Sequence, residues 1–373
     1  MEKRRSNPLL SSKMPGIRFL VAGGGTGGHL FPGIAVAREL EKRFSNVEIL
    51  FVAGLARMES EILSRYRYDV TSIEIEGLMG RGWRKGLTVL SRVPRSLLES
   101  AQVIRRFSPH LVLGMGAYSA GPVCLAARFM KIPTAIHEQN SYPGLTNRLL
   151  SRVVDQVFIS FEESRRYFKA GKIFLTGNPV RQEFFSGPRI EREESRFTVL
   201  IIGGSQGARA LNRAFAEAAS ILKQKGRQVK VIHQTGHADY REVVADYKRR
   251  DVEGDILPFI EDMATAYKEA DLVISRAGAT TIFELAGLAK PSILVPYPYA
   301  SHRHQEINAR TLVREGGAEM ILENDLTGKA LSDLVAKYMD DRDALMEMGK
   351  RAAKVGRPNA SSVIVDQLVK MIH

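Results

Sequence analysis

The sequence predicts an α/β protein built from two Rossmann-like domains whose parallel sheets face a shared cleft. Three observations carry this. Short β-branched runs alternate with runs of helical period along the chain, the pattern of repeated strand–helix–strand units. The segment 19-FLVAGGGTGGH-29 is echoed by 199-VLIIGGSQGAR-209, each an apolar strand, a glycine turn and a helix start. Between them runs 178-NPVRQEFFSGPRIEREESR-196, whose polar, proline- and glycine-bearing composition is that of a linker.

Residues 1–16 are basic and lack an apolar run, so they read as a short disordered tail and not as a secretory signal. The first domain spans 17–180, with strands expected at 17–23, 47–54, 69–77, 110–116, 133–138, 155–160 and 172–177 and a helix over 87–106. Residues 181–196 form the linker. The second domain spans 197–356, with strands at 197–204, 228–236, 253–259, 271–278, 291–297 and 318–322 and helices over 207–224 and 303–315. Residues 357–373 make a final helix.

The 373 residues are 44% hydrophobic and 25% charged, a globular composition with room for two cores. No apolar run approaches the roughly 18–20 residues of a membrane span. Cys124 is the sole cysteine, which excludes an internal disulfide and fits a reducing compartment; its apolar helix-like setting makes it core. The net charge of +13 is uneven: residues 1–180 hold 26 basic and 14 acidic side chains, the remainder 28 and 27. The first half therefore faces something anionic, with nucleic acid, a membrane surface and a phosphorylated substrate as candidates. Nucleic acid is disfavoured, because no recognised module or aromatic stacking pattern accompanies the charge.

Glycines after a strand let the backbone approach a ligand closely, and the N–H groups of the following helix start suit phosphate. A dinucleotide site would also place an acid at the end of the second strand of each half. Those strands end at Ala53-Gly54 and Gln234-Thr235-Gly236, so nicotinamide and flavin enzymes are disfavoured. A P-loop motif is absent. His29 follows the first glycine turn, where the helix dipole lowers its pKa. The residues leave open a general base and a histidine that only hydrogen-bonds its loop. Glu138 in 137-HEQNSYPG-144 reads as a base, as a group orienting His29, or as a helix cap, and Asn140 suits sugar hydroxyls. In 275-SRAGATTIFE-284 a second helix start is anion-ready, and Glu284 is placed to grip a ribose diol or to be a surface charge. The acids Asp341 and Asp343 form a D-x-D at a helix start, which reads as a cap and not as a metal site.

The motifs GGTGGHLFPG, HEQN, GNPVR, GGSQGA, HQTG, SRAGATTIFE and 304-HQEINA-309, in that order, resemble the MurG-type enzymes, the bacterial UDP-N-acetylglucosamine:lipid I N-acetylglucosaminyltransferases of peptidoglycan synthesis. The resemblance runs from about Arg18 to Asn308. It implies a GT-B fold in which the last helix crosses back onto the first domain. It also implies UDP-N-acetylglucosamine as donor and lipid I as acceptor. Ile260 would meet the uracil through its backbone, and Glu284 the ribose. Ser205, Arg181 and the helix start Ala279, Thr280 and Thr281, followed by Ile282 and Phe283, would line the donor. Gln305 and Asn140 would read sugar hydroxyls, and Thr26, Gly27 and Gly28 would close over the donor and also face the acceptor's pyrophosphate. The chain departs from the pattern at His304, where many relatives carry a second glutamine, and its loop 297–303 is a residue longer than in some.

The implied reaction is inverting transfer to the 4-hydroxyl of N-acetylmuramic acid, with His29 as base and Glu138 as the next choice. Backbone amides and arginines stabilise the leaving diphosphate, so neither a metal nor another cofactor is expected. A lipid-linked acceptor requires a membrane face. Leu78, Met79, Trp83 and Leu87 beside Arg84 and Lys85 form an apolar anchor among cations, as an anionic interface attracts; an amphipathic helix packed on the domain is the plainer reading. The expected location is peripheral, on the cytoplasmic face of the bacterial plasma (inner) membrane. Any protein partners would belong to cell-wall synthesis or division. A UDP-sugar epimerase and a diacylglycerol glycosyltransferase remain alternatives on the same fold.

Overall fold

A computed structural model of the chain describes residues 16–24, 27–54, 62–73, 82–169, 172–186, 196–204 and 207–372, with the backbone alone for 82–93. Strands β1 (Ile17–Ala22), β2 (Val47–Ala53), β3 (Asp69–Ser72), β4 (Leu111–Gly114), β5 (Thr134–Glu138), β6 (Gln156–Ile159) and β7 (Ile173–Leu175) form one sheet, ordered β3-β2-β1-β4-β5-β6-β7. Strands β8 (Phe197–Ile202), β9 (Val229–Gln234), β10 (Asp255–Leu257), β11 (Leu272–Ser275), β12 (Ser292–Leu294) and β13 (Glu319–Met320) form another, ordered β10-β9-β8-β11-β12-β13. Every described strand pair is parallel.

Parallel sheets are covered on both faces, so their strands must be apolar on both. Accordingly all of β4, β6, β8 and β11 is buried. In the first lobe, the helices Gly27–Arg43 and Ala360–Val369 share one side of the sheet. Leu30, Ile34 and Leu40 meet Ile364, Val365 and Leu368 there in one cluster with Phe19 and Phe51. The helix Ala117–Phe129 covers the other side with Ala120, Val123 and Cys124. In the second lobe, Leu211, Phe215 and Leu222 of Arg209–Gln224 pack with Leu331 and Val335 on one face. The other face joins Ile282, Phe283 and Leu285 to Phe161 and Val180, so its core reaches across the junction.

The sheet order reverses direction beside β1 and again beside β8, and loops leaving the strand ends there diverge to form a crevice. The first switch point opens between Gly23 and Met115, the second between Gly203 and Arg276. The final helix returns to the first lobe past Gly177. That residue has φ +80°, and a Cβ on it would lie 2.4 Å from Arg357 Cβ, so glycine alone fits the crossing. Arg43 anchors the returning helix through Asp366 and the Ser362 carbonyl. Asp341 caps the helix Arg342–Val355, accepting from the Ala344 N–H at 2.8 Å. Among the described residues, no helix is long and apolar enough to cross a membrane.

Leu368 is fully buried in the seam between the first lobe and the final helix. Leu368→Ala is expected to cost about 2–5 kcal/mol, read as a lower midpoint in urea unfolding.

Candidate active site

At the first switch point the helix Gly27–Arg43 starts almost directly after β1, which places His29 in its first turn at the cleft floor. The imidazole is half-buried, and its Nδ1 lies 2.9 Å from Gln139 Oε1. Gly116, with φ +86°, backs the ring: a Cβ there would stand 3.2 Å from both Nδ1 and Cε1. Burial holds the His29 pKa below its ordinary value, the bond to Gln139 works against this, and the charge of His304 adds to the lowering. Desolvation therefore leads where the sequence suggested the helix dipole.

Glu138 ends β5 and turns under the loop that follows. Its Oε1 accepts from the Asn140 N–H at 2.9 Å and from Asn140 Nδ2 at 3.4 Å. Its Oε2 accepts from Asn147 Nδ2 at 2.9 Å and from the Gly144 N–H at 3.2 Å. The carboxyl is 2% exposed, and burial raises its pKa against the pull of these donors. The group that touches His29 is thus Gln139, not Glu138.

The same loop reaches the second lobe. Asn308 Oδ1 accepts from the Ser141 N–H and hydroxyl at 3.0 and 2.7 Å, while its Nδ2 donates to Ala277 O at 3.3 Å and Asn140 Oδ1 at 3.4 Å. One buried amide therefore ties the 138–147 turn to the second switch point. Above it His302 stacks on Tyr142 with ring centroids 4.3 Å apart. His302 and Arg303 both lie in the left-handed region, at φ 51° and 53°, a strain of roughly 1–2 kcal/mol each that this loop sustains beside the cleft.

The helix Ala279–Gly287 opens at the second switch point with Gly278 as its cap and no side-chain capping bond. The Ile282 N–H is spent inside the helix on Gly278 O, which leaves the amides of Ala279, Thr280 and Thr281 aimed outward. Thr280 Oγ1 donates to Gly28 O at 3.2 Å, so the two helix starts face each other across the cleft. The Ile282 and Phe283 side chains lie in the core. Glu284 is 6% exposed; its Oε2 accepts from the Tyr267 hydroxyl at 2.9 Å and Arg181 stands 3.7 Å from Oε1. Burial raises the Glu284 pKa, and Arg181 and Tyr267 oppose the rise. Arg181 lies over the rings of Phe31 and Phe184, 4.3 Å from each centroid, and donates to Tyr66 Oη at 3.3 Å.

The Ile260 N–H donates to Gln234 Oε1 at 2.9 Å, and Gln234 Nε2 donates to Gly204 O at 3.1 Å. Gln305 Oε1 accepts from the Tyr297 and Ala277 N–H groups at 3.0 and 3.3 Å. His304, in the position where many relatives have glutamine, donates from Nδ1 to Ser301 O at 2.8 Å. Thr26, Ser205, Leu78 and Met79 lie outside the described residues, as do the side chains of Trp83, Arg84, Lys85 and Leu87. Sequence reasoning missed Gln139 and Asn308. Asn308 had a readable signal, since three residues after Gln305 puts it on the same helix face.

The N-terminal domain model of glycosyltransferase family 28 matches residues 19–159, and the C-terminal domain model of that family matches residues 198–364. The UDP-N-acetylglucosamine--N-acetylmuramyl-(pentapeptide) pyrophosphoryl-undecaprenol N-acetylglucosamine transferase of Syntrophus aciditrophicus (strain SB) is 44% identical, over 96% of this chain and 99% of its own. The protein of the same name from Trichlorobacter lovleyi is 43% identical over 96% and 99%. The chain belongs to glycosyltransferase family 28. In structure this family 28 chain matches the crystal structure of Acinetobacter baumannii MurG with a TM-score of 0.75 at 32% identity, over 95% of this chain and 99% of that one. The two parallel-sheet lobes are the GT-B fold. A UDP-GlcNAc 2-epimerase from Neisseria meningitidis, solved with UDP-GlcNAc bound, matches with a TM-score of 0.66 at 16% identity, over 95% of this chain and 100% of that one, and shares the fold alone.

Two buried histidines of this family 28 chain are held neutral. Burial lowers His137 from 6.5 to about 4 and His233 from 6.5 to about 3. The unfolded chain takes up these protons first, so the stability they contribute is complete above pH 6.5 and is lost as the pH falls toward those values. The expected loss is about 1.4 kcal/mol per pH unit for each histidine. Urea unfolding of wild type and His233→Gln at pH 7, 6 and 5 checks this: the variant should show the shallower slope.

Proposed function

We propose that the protein moves N-acetylglucosamine from UDP-N-acetylglucosamine to the 4-hydroxyl of the N-acetylmuramyl group of lipid I, with inversion. What supports this reading above all is the 3.2 Å hydrogen bond from Thr280, in the uncapped start of Ala279–Gly287, to the Gly28 carbonyl next to His29, in a chain 44% identical to a relative named for that activity. A base and an anion site then flank one point. The acceptor oxygen attacks the anomeric carbon, the bond from that carbon to the β-phosphate oxygen breaks, and UDP leaves. The hydroxyl proton goes to His29 Nε2. The diphosphate charge is met by the amides of Ala279, Thr280 and Thr281 and by the facing turn at Gly27 and Gly28, in a geometry set before the reaction.

His29 is the base in this reading. Glu138 already receives four N–H donors, and its role is to shape the turn. Glu284 Oε1 takes the ribose diol while Tyr267 holds Oε2. With its N–H committed to Gln234, Ile260 offers its carbonyl to the uracil N3–H. Gln305, its carbonyl pinned by two amides, turns Nε2 to the sugar, with Asn140 opposite. The test is to incubate the protein with labelled UDP-N-acetylglucosamine and a lipid I analogue and to look for the disaccharide-lipid. His29→Ala should retain UDP binding and lose about 10²–10⁴-fold in kcat. Ordinary turnover in that variant would remove His29 as base.

The acceptor also demands docking on the anionic cytoplasmic face of the plasma membrane. Support comes from the neighbouring helices Ala117–Phe129 and Leu145–Leu150 with the turns that follow them, which expose Tyr118, Phe129, Leu145, Leu149 and Val153 among Arg148, Arg152 and Lys131. Apolar side chains ringed by cations suit an anionic lipid surface. Leu145→Asp with Leu149→Asp should weaken binding to phosphatidylglycerol vesicles by about 10-fold or more, since each leucine gives up on the order of 1.5–3 kcal/mol of burial. Transfer to a soluble acceptor analogue should be unchanged.

A further inference from the structure

Gln139 is 1% exposed and lies between the Met115 carbonyl, His137 and His29. Its Nε2 is 2.9 Å from Met115 O, a carbonyl that can only accept. The same Nε2 is 3.2 Å from His137 Nδ1. His137 is itself fully buried, and its Nε2 is 3.1 Å from Gly177 O, again only an acceptor. The Ser160 hydroxyl beside that nitrogen gives its own hydrogen to Glu138 O at 3.0 Å. His137 therefore carries its single proton on Nε2, and its Nδ1 accepts from Gln139.

Both hydrogens of the Gln139 amide are thus committed, one to Met115 O and one to His137 Nδ1. Turning the amide over would set its oxygen against two acceptors, so the network itself fixes the orientation. The oxygen that remains faces His29 Nδ1 at 2.9 Å and can only accept. We propose that Gln139 is a positioning residue that holds His29 in its Nδ1–H tautomer, so that the Nε2 lone pair is the one presented to the acceptor hydroxyl. Its catalytic consequence rests on the reading of His29 as base. Gly116 completes the setting by leaving room beside the ring, where a Cβ would stand 3.2 Å from Nδ1 and Cε1. A neutral imidazole otherwise exchanges its proton between the two nitrogens, and each molecule in the wrong form has no lone pair where one is needed.

Two substitutions separate positioning from packing. Gln139→Met and Gln139→Glu both remove the donors to Met115 and His137, but the glutamate keeps an acceptor toward His29. Nitrogen-15 spectra of the imidazoles in the full-length protein, with the His29 signals assigned by their loss in His29→Ala, report the tautomer directly. Wild type and Gln139→Glu are expected to show a protonated Nδ1 and a bare Nε2. Gln139→Met is expected to shift His29 toward Nε2–H and to lower kcat by on the order of 10- to 100-fold with the KM for UDP-N-acetylglucosamine unchanged. A wild-type His29 protonated on Nε2, or equal losses of kcat in the two variants, would overturn the proposal. A tautomer that shifts in Gln139→Met while kcat stays constant would support the positioning and overturn His29 as base.

Discussion

Two helix starts meet across the cleft, and the one on the second lobe leaves backbone N–H groups without partners among the described residues. On the second lobe Gly278 provides no side-chain cap, so three amides of the helix Ala279–Gly287 point outward. On the first lobe the helix Gly27–Arg43 begins opposite, close enough for Thr280 to donate to Gly28 O. Uncapped helix ends at a cleft are costly unless something anionic completes them. A diphosphate has the charge and the oxygen count to do so. The duplicated strand order exists, in this sense, to bring two helix starts to one place.

The distance between them is held by a small set of polar ties. Asn308 uses both ends of its amide to join Ser141 of the first lobe to Ala277 of the second. Arg181 lies on Phe31 from one lobe and Phe184 from the junction, and Phe161 packs edge-on against Phe283 at 5.0 Å. The final helix closes the frame by placing Ile364, Val365 and Leu368 in the first-lobe core. Because the chain passes twice between the lobes, through the linker and through Arg357, the cleft geometry depends on few residues and those residues sit close to the chemistry. The same economy bears on His29: burial holds its pKa below the ordinary value, and Gln139 supplies one directed acceptor.

Much of this was legible in the amino-acid sequence. Parallel strands covered on both sides read as continuous apolar runs, so β1, β8 and β11 were visible, and the glycine turns gave away both switch points. Glu138 and Gln139 show where reading stopped. Adjacent residues at a strand end point in opposite directions, and the sequence offers no parity for the turn that follows. Charge chemistry favoured the carboxylate, yet the fold tucks Glu138 beneath the loop and aims the neutral amide at the histidine. Ile260 shows a second limit: the sequence did not say which of its backbone groups is free, and Gln234, distant in sequence, takes the N–H. The apolar helix faces around Leu145 and Leu149 escaped notice because six residues are too few to display a period.

The most direct test of the account concerns the amides of Ala279, Thr280 and Thr281. Their resonances can be followed in deuterated protein while UDP is added in a buffer containing a chelator. These amides and those of Gly27 and Gly28 are expected to move together, with an affinity that added magnesium or manganese leaves unchanged. Amides that stay still while UDP binds elsewhere, or binding that appears only when a divalent cation is restored, would contradict it.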